Sequence, residues 1–206
     1  MIGVIDYGVG NLFSLCSSLR CVGAEVEVSA DPAVLEQADK LVLPGVGAFG
    51  DAAQKLRDTG LDQLVIRQAK KGVPVLGICL GMQLLFEESL EYGRHRGLGL
   101  LAGRVVPMEG ALPAALKIPH IGWNALQPMA ESPLLRDVKP GDCVYFVHSY
   151  YATGCADSLV ATAEYGIPIT AMVQKGNVMG CQFHPEKSGP VGLAILRAFC
   201  EEEGKA

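Results

Sequence analysis

Cys79 is the residue whose surroundings best fit chemistry. It stands in Gly77-Ile78-Cys79-Leu80-Gly81, with a glycine two residues to either side. Val73-Pro74-Val75-Leu76 ahead of it reads as a short buried parallel strand, and Leu80 to Glu88 behind it reads as a helix. A cysteine at such a strand-to-helix turn follows the logic of a nucleophile elbow, with sulfur in place of oxygen. Small neighbours permit the tight backbone that lifts the side chain out of the sheet. The helix N-terminus behind it favours the thiolate, the reactive form. Cysteine is also a common core residue, and the motif alone fits a buried structural thiol equally well.

A cysteine nucleophile needs a base and a group to orient that base. Four histidines are available: His95, His120, His148 and His184. His184 lies in Gln182-Phe183-His184-Pro185-Glu186, just after a strand-like run. Pro185 restricts His184 to extended backbone, so the His184 and Glu186 side chains tend to project the same way. Such a carboxylate can hold the imidazole tautomer and stabilise the imidazolium. An isolated His-Pro-Glu also fits a polar loop; joined to the cysteine elbow, it makes Cys79, His184 and Glu186 the candidate triad.

Acyl transfer further requires N–H donors for a tetrahedral oxyanion. The run from Leu43 to Gly50 follows a strand and offers the backbone of Gly45, Val46 and Gly47. Leu80 N–H, directly after the nucleophile, is the natural second donor. The glycine-rich run also fits a plain turn or a phosphate cradle, but it lacks the Lys-Ser/Thr pair of a P-loop. Gln83, one turn beyond Cys79 on the same helix face, can reach a substrate near sulfur or be a solvated helix residue. His95, between Arg94 and Arg96, reads as a solvated loop.

The elements that must position these residues alternate through the first half. Ile2–Tyr7, Ala24–Ser29 and Lys40–Leu43 read as strands. Asn11–Val22 is helical, with Leu12, Leu15, Cys16, Leu19 and Val22 on one face. Asp31-Pro32 caps a short helix, and two amphipathic segments fill Phe49 to Lys71. Repeated β-α-β units imply a mostly parallel central sheet with helices on both faces, a flavodoxin-like α/β fold. Ligands of such sheets bind at the carboxyl ends of strands, where Cys79 lies. The second half is β-rich: Gly103–Pro107, Leu116–Leu126, Cys143–Tyr151, Ile169–Gln174 and Val178–Gln182. The last two flank a Lys175-Gly176-Asn177 hairpin turn, and a helix over Pro190–Glu202 should bury Leu193, Leu196 and Phe199. With no linker or repeat, residues 1–206 read as a single domain.

At 206 residues with half of them hydrophobic, the chain can bury a full core. A net charge of −5 argues against a nucleic-acid surface. No run reaches the roughly 18 apolar residues needed to span a bilayer, and no basic leader precedes the first strand. Seven scattered cysteines include no Cys-x-x-Cys pair, which weakens metal and disulfide readings and points to a reduced, cytoplasmic protein without metal or other cofactor.

Pro44-Gly45-Val46-Gly47, Gly77 to Gln83 and Phe183-His184-Pro185-Glu186-Lys187-Ser188 together resemble the class I, triad-type glutamine amidotransferases. Asp6 to Leu12, His120-Ile121-Gly122-Trp123-Asn124 and Tyr145-Phe146-Val147-His148-Ser149-Tyr150 are similar to the branch formed by the glutaminase subunits of imidazole glycerol phosphate synthases. The likeness runs through the whole chain in order, without departure at a matched catalytic position. It implies that Cys79 attacks the amide of glutamine and that Gln83, Glu91, Ser149 and Tyr150 contact that substrate. It makes His148 a binding-loop residue. It also implies a heterodimer with a (β/α)8-barrel synthase subunit, docked at Trp123, Tyr145 and Lys187. That subunit uses the ammonia with PRFAR to form imidazole glycerol phosphate and AICAR in histidine biosynthesis. A different amidotransferase subunit, a stand-alone γ-glutamyl hydrolase, or a non-catalytic flavodoxin-like scaffold remain as rivals.

Overall fold

The computed structural model describes residues 1–202. Strands β1 (Ile2–Ile5), β2 (Val26–Ser29), β3 (Lys40–Leu43) and β4 (Val75–Ile78) alternate with helices α1 (Leu12–Cys21), α2 (Pro32–Leu35), α3 (Phe49–Asp58) and α4 (Leu61–Lys70). Helix α5 (Leu80–Leu84) follows β4, and β5 (Phe86–Ser89), β6 (His95–Arg96), β7 (Leu101–Pro107), β8 (His120–Pro128), β9 (Cys143–His148), β10 (Tyr150–Thr153), β11 (Leu159–Glu164), β12 (Pro168–Lys175) and β13 (Val178–Cys181) make the second half. Helix α6 (Gly189–Glu201) closes the described chain. Among the described residues, no helix is long and apolar enough to cross a membrane.

A nine-stranded sheet runs β2-β1-β3-β4-β13-β12-β11-β8-β9. Its first five strands are parallel, and the rest pair antiparallel, so the expected parallel core continues into a β-rich wing. Alternation along the strands splits the core into two layers. Val42, Leu76 and Ile78 pack with Leu15, Leu19, Ile195 and Phe199 of α1 and α6. Leu41, Leu43 and Val75 pack with Leu56, Leu64 and Leu84 of α3, α4 and α5 on the other face. A smaller sheet, β10-β7-β5-β6, lies beside the main one.

Three expectations are corrected. The helix expected over Leu80–Glu88 stops at Leu84, because the carbonyls of Leu84, Leu85 and Phe86 accept from Leu98, Leu100, Leu101 and Gly99 rather than continuing the helical ladder. Phe86–Ser89 is therefore a strand with its two ends buried. The strand expected from Leu116 begins at His120, since 108–119 is occupied by turns around Pro113. In α6, Leu193 is only partly buried; Ile195, Leu196, Ala198 and Phe199 carry the contact.

What positions Cys79 is close backbone approach. A Cβ on Gly81 would lie 1.8 Å from the Leu43 carbonyl oxygen, and one on Gly77 would lie 2.7 Å from Gly81 backbone atoms. The start of α5 thus sits directly on the end of β3. Gly81→Ala should lower unfolding free energy by about 3 kcal/mol or more, read as the denaturant midpoint. Gly23→Ala, at φ +91° with nothing within 4 Å of the added carbon, should cost only about 1–2 kcal/mol. Equal losses would contradict the close-approach account.

Candidate active site

Cys79 joins β4 to α5 with φ 54° and ψ −112°, a backbone conformation that costs a non-glycine residue about 1–3 kcal/mol. It is held there by Cys79 N–H donating to Cys181 O at 2.8 Å and by Gln83 N–H donating to Cys79 O at 3.1 Å. The expected elbow is present. The sulfur opens into a cavity of about 570 Å3 whose lining includes Val46, Gly47, Leu80, Gln83, Glu91 and His184.

His184 follows β13, and its ring Nδ1 is 2.8 Å from Glu186 Oε1, with both side chains almost fully buried. A carboxylate accepts, so Nδ1 donates to it, and Nε2 is the nitrogen left to exchange a proton with the thiol. Burial pulls the His184 imidazolium down; hydrogen bonds to Cys79 and Glu186, and the negative charge of both, outweigh it and raise the pKa from 6.5 to about 9. The backbone of this histidine is clamped. His184 N–H donates to Tyr145 O at 2.9 Å. Ser188 Oγ donates to His184 O at 2.7 Å while accepting from Tyr145 N–H at 3.0 Å. Gly192 lets α6 press on this turn, since a Cβ there would meet Pro185 O at 1.9 Å.

Other sulfur and hydroxyl groups near Cys79 are suppressed. Burial first, then the charges of Glu186 and Cys79, push the Cys181 thiol up. Burial, then Cys79, does the same for the Tyr7 hydroxyl, which donates to Pro44 O at 2.7 Å. All seven cysteines are free.

The expected site residues divide into three groups. Val46, Gly47, Leu80, Gln83, Glu91, Ser149 and Tyr150 line the cavity with Cys79 and His184. Gly45 does not; its Cα faces Gly81 N and Tyr7 Oη so closely that a Cβ would lie 2.8 and 2.9 Å from them. Trp123, Tyr145 and Lys187 form a separate cluster, of which only Lys187 lines the cavity. The Trp123 and Tyr145 rings meet edge-on at 5.9 Å, and Lys187 Nζ stands 5.8 Å over Tyr145. Trp123 is 55% exposed, and Ile121 beside it is exposed too.

Gly45, Gly47 and Gly50 have dinucleotide-turn spacing between β3 and α3, yet the helix start is already engaged by a carboxylate of this chain. Glu91 Oε2 already accepts from Phe49 N–H, the first of α3, at 2.6 Å. His95 is not a solvated loop: it forms part of β6, and a Cβ on Gly50 would lie 2.7 Å from its ring.

Sequence reading missed several residues. Tyr92, with φ 51°, meets the Tyr150 ring edge-on at 6.3 Å. Glu109 and Asn11 also line the cavity. His148 is buried; its Nδ1 donates to Tyr150 O at 2.8 Å, and its Nε2 is 3.1 Å from His120 Nδ1. His120 Nε2 lies 2.7 Å from Asn124 Oδ1. Burial, opposed by the Tyr150 bond and reinforced by His120 and His184, lowers the His148 pKa to about 3.

Residues 3–202 match the glutamine amidotransferase class-I family model, and the chain belongs to that family. Within it, the chain is similar to the imidazole glycerol phosphate synthase subunits HisH. It is 54% identical over 202 residues to the one from Bacillus velezensis, covering 97% of this chain and 95% of the relative. To the one from Bacillus subtilis it is 52% identical, with the same shares covered. In fold it is similar to a solved glutamine amidotransferase, with TM-score 0.73, 20% identity, and 93% and 94% of the two chains covered. PurLQS from Thermotoga maritima gives TM-score 0.75 at 20% identity, with 96% of each chain covered.

Two outcomes check the site. Glu186→Gln removes the carboxylate that favours imidazolium, so the His184 pKa should fall well below about 9 in imidazole NMR titration. Because His148 stays neutral in the fold down to about 3, its stabilisation is complete above the unfolded value of 6.5 and is lost as pH falls toward 3. The unfolding free energy should therefore drop by about 2 kcal/mol more between about pH 7 and about pH 5 in the native chain than in His148→Gln.

Proposed function

We propose that the chain is the glutaminase subunit of an imidazole glycerol phosphate synthase, releasing ammonia from glutamine for histidine biosynthesis. The observation that carries this reading is the buried Cys79–His184–Glu186 arrangement on a strained elbow, in a chain with more than half its residues identical to HisH relatives.

The chemistry follows from the geometry. His184 Nε2 takes the Cys79 proton, and the sulfur attacks the side-chain carbonyl of glutamine. Leu80 opens α5, where the first N–H groups have no partner within the helix, so it can hold the oxyanion with N–H groups of Val46 and Gly47, which line the cavity. Imidazolium then gives its proton to the departing amine, the C–N bond breaks, and ammonia leaves a γ-glutamyl thioester. His184 next activates water, which releases glutamate and restores the thiol. Gln83, Glu91, Ser149 and Tyr150 hold the substrate along the cavity wall. No cofactor takes part in these steps.

The ammonia passes to a (β/α)8-barrel cyclase subunit, which converts PRFAR to imidazole glycerol phosphate and AICAR. Trp123, Tyr145 and Lys187 form the docking rim, an exposed tryptophan against a half-buried tyrosine with a lysine that also lines the cavity. Seven free cysteines suit a cytoplasmic enzyme. Gly47, at φ +94°, lets the oxyanion segment reorient at little steric cost, which supports gating by the partner.

Glutamate release should be slow for the chain alone, rise strongly with the barrel subunit and its ribulosyl ligand, and vanish in Cys79→Ala. In the same assay Glu186→Gln should lose about 10²–10⁴-fold in kcat. Full activity of the isolated chain, indifferent to the barrel, would contradict the coupled assignment. Activity that survives Cys79→Ala would contradict the nucleophile.

A further inference from the structure

Gln182 is completely buried, between the end of β13 and the catalytic histidine turn. Its Nε2 lies 3.7 Å from Cys79 Sγ, and its Oε1 accepts from Gln83 Nε2 at 2.9 Å. Gln83 Nε2 also donates to Tyr150 O at 3.1 Å.

The direction of this chain of amides is fixed at its far end. A main-chain carbonyl only accepts, so the Gln83 group facing Tyr150 O must be its NH2. The second hydrogen of that NH2 goes to Gln182, and the Gln182 atom receiving it must be oxygen. The Gln182 NH2 is therefore left facing the sulfur. Inverting either amide would set acceptor against acceptor or donor against donor at a buried contact. His148 Nδ1 donates to the same Tyr150 carbonyl, which holds the anchor in place.

A hydrogen-bond donor aimed at a titratable atom favours its charged form. We propose that Gln182 is a further catalytic residue of the glutaminase reaction, its side-chain N–H donating to the Cys79 sulfur and stabilising the thiolate that attacks the substrate. The titratable groups facing that sulfur are His184 and, behind it, Glu186 after β13, Cys181 at the end of β13, and Tyr7 after β1. Burial holds Cys181 and Tyr7 neutral and the Glu186 side chain is taken up by His184 Nδ1, which leaves His184 and Gln182 as the side chains that favour negative sulfur. The proton still goes to His184; Gln182 transfers none. Contact with the sulfur separates this amide from an ordinary core residue, because a glutamine needed only for packing has no reason to aim its donor at the nucleophile.

The inference rests on Cys79 being the nucleophile. Its test is the rate of iodoacetamide alkylation of Cys79 in the full chain, followed by peptide mass spectrometry, in the native protein and in Gln182→Met. Methionine keeps the volume and lacks the donor. At about pH 7 the variant should react about fivefold to tenfold more slowly. At about pH 10, where free thiols are ionised without help, the gap should close. Equal rates at both pH values would overturn the proposal, as would a gap of the same size at both. If Gln182→Met does not fold, Gln182→Glu keeps the shape and the bond from Gln83 but turns a carboxylate oxygen toward sulfur. It should slow alkylation at about pH 7 further, and a native rate would overturn the proposal. A native Cys79 no faster than exposed Cys143 would sink the nucleophile reading itself, whereas a fast Cys79 indifferent to Gln182 sinks only this inference.

Discussion

The site depends on one steric constraint: the backbone of α5 lies against the end of β3 at a distance that only a bare α-carbon permits. With a Cβ on Gly81 the Leu43 oxygen would be only 1.8 Å away. A Cβ on Gly45 would in turn lie 2.8 Å from Gly81 N and 2.9 Å from the Leu80 Cβ. This contact forces the short turn in which Cys79 takes φ 54° and presents its sulfur to the cavity. It also sets Leu80 N–H and the Gly45–Gly47 segment at one place. Strain of about 1–3 kcal/mol at Cys79 is sustained because β4 is buried between β3 and β13 and cannot relax.

The base is fixed by a different device, hydrogen bonds to the last strand of the wing. Ser188 and the Tyr145 main chain hold His184 on both its N–H and its carbonyl. The same Tyr145 turns its ring outward against Trp123 and Lys187. Strand β9 thus carries the Tyr145–Trp123–Lys187 cluster on one side and the backbone clamp of His184 along its edge. Its end, His148, bonds the carbonyl that anchors Gln83. Displacement of β9 would therefore reach both His184 and the cavity wall at Gln83 and Tyr150.

Much of this was legible in the sequence because it is local. The Gly-x-Cys-x-Gly elbow, the His-Pro-Glu turn and the β-α alternation each depend on residues a few positions apart, and each is present. What escaped depends on pairing between distant segments. The helix after Cys79 ends early because residues 98–101 capture its carbonyls. The His120–His148 pair exists because β8 and β9 set those two residues opposite each other. Gln182 has an unremarkable position in the chain; its meaning comes from Gln83, which arrives from another element. The glycine run after β3 has the spacing of a nucleotide turn, and the Glu91 carboxylate, which arrives from beyond β5 to accept the first N–H of α3, counts against that use.

The most direct test of the account is to mix the full chain with glutamine and the barrel subunit, quench with acid, and map covalent adducts by mass spectrometry. The account requires one γ-glutamyl group on the peptide carrying Cys79 and none on the peptides carrying the other six cysteines. Glutamate release without an adduct at Cys79, or an adduct on another residue, would contradict it.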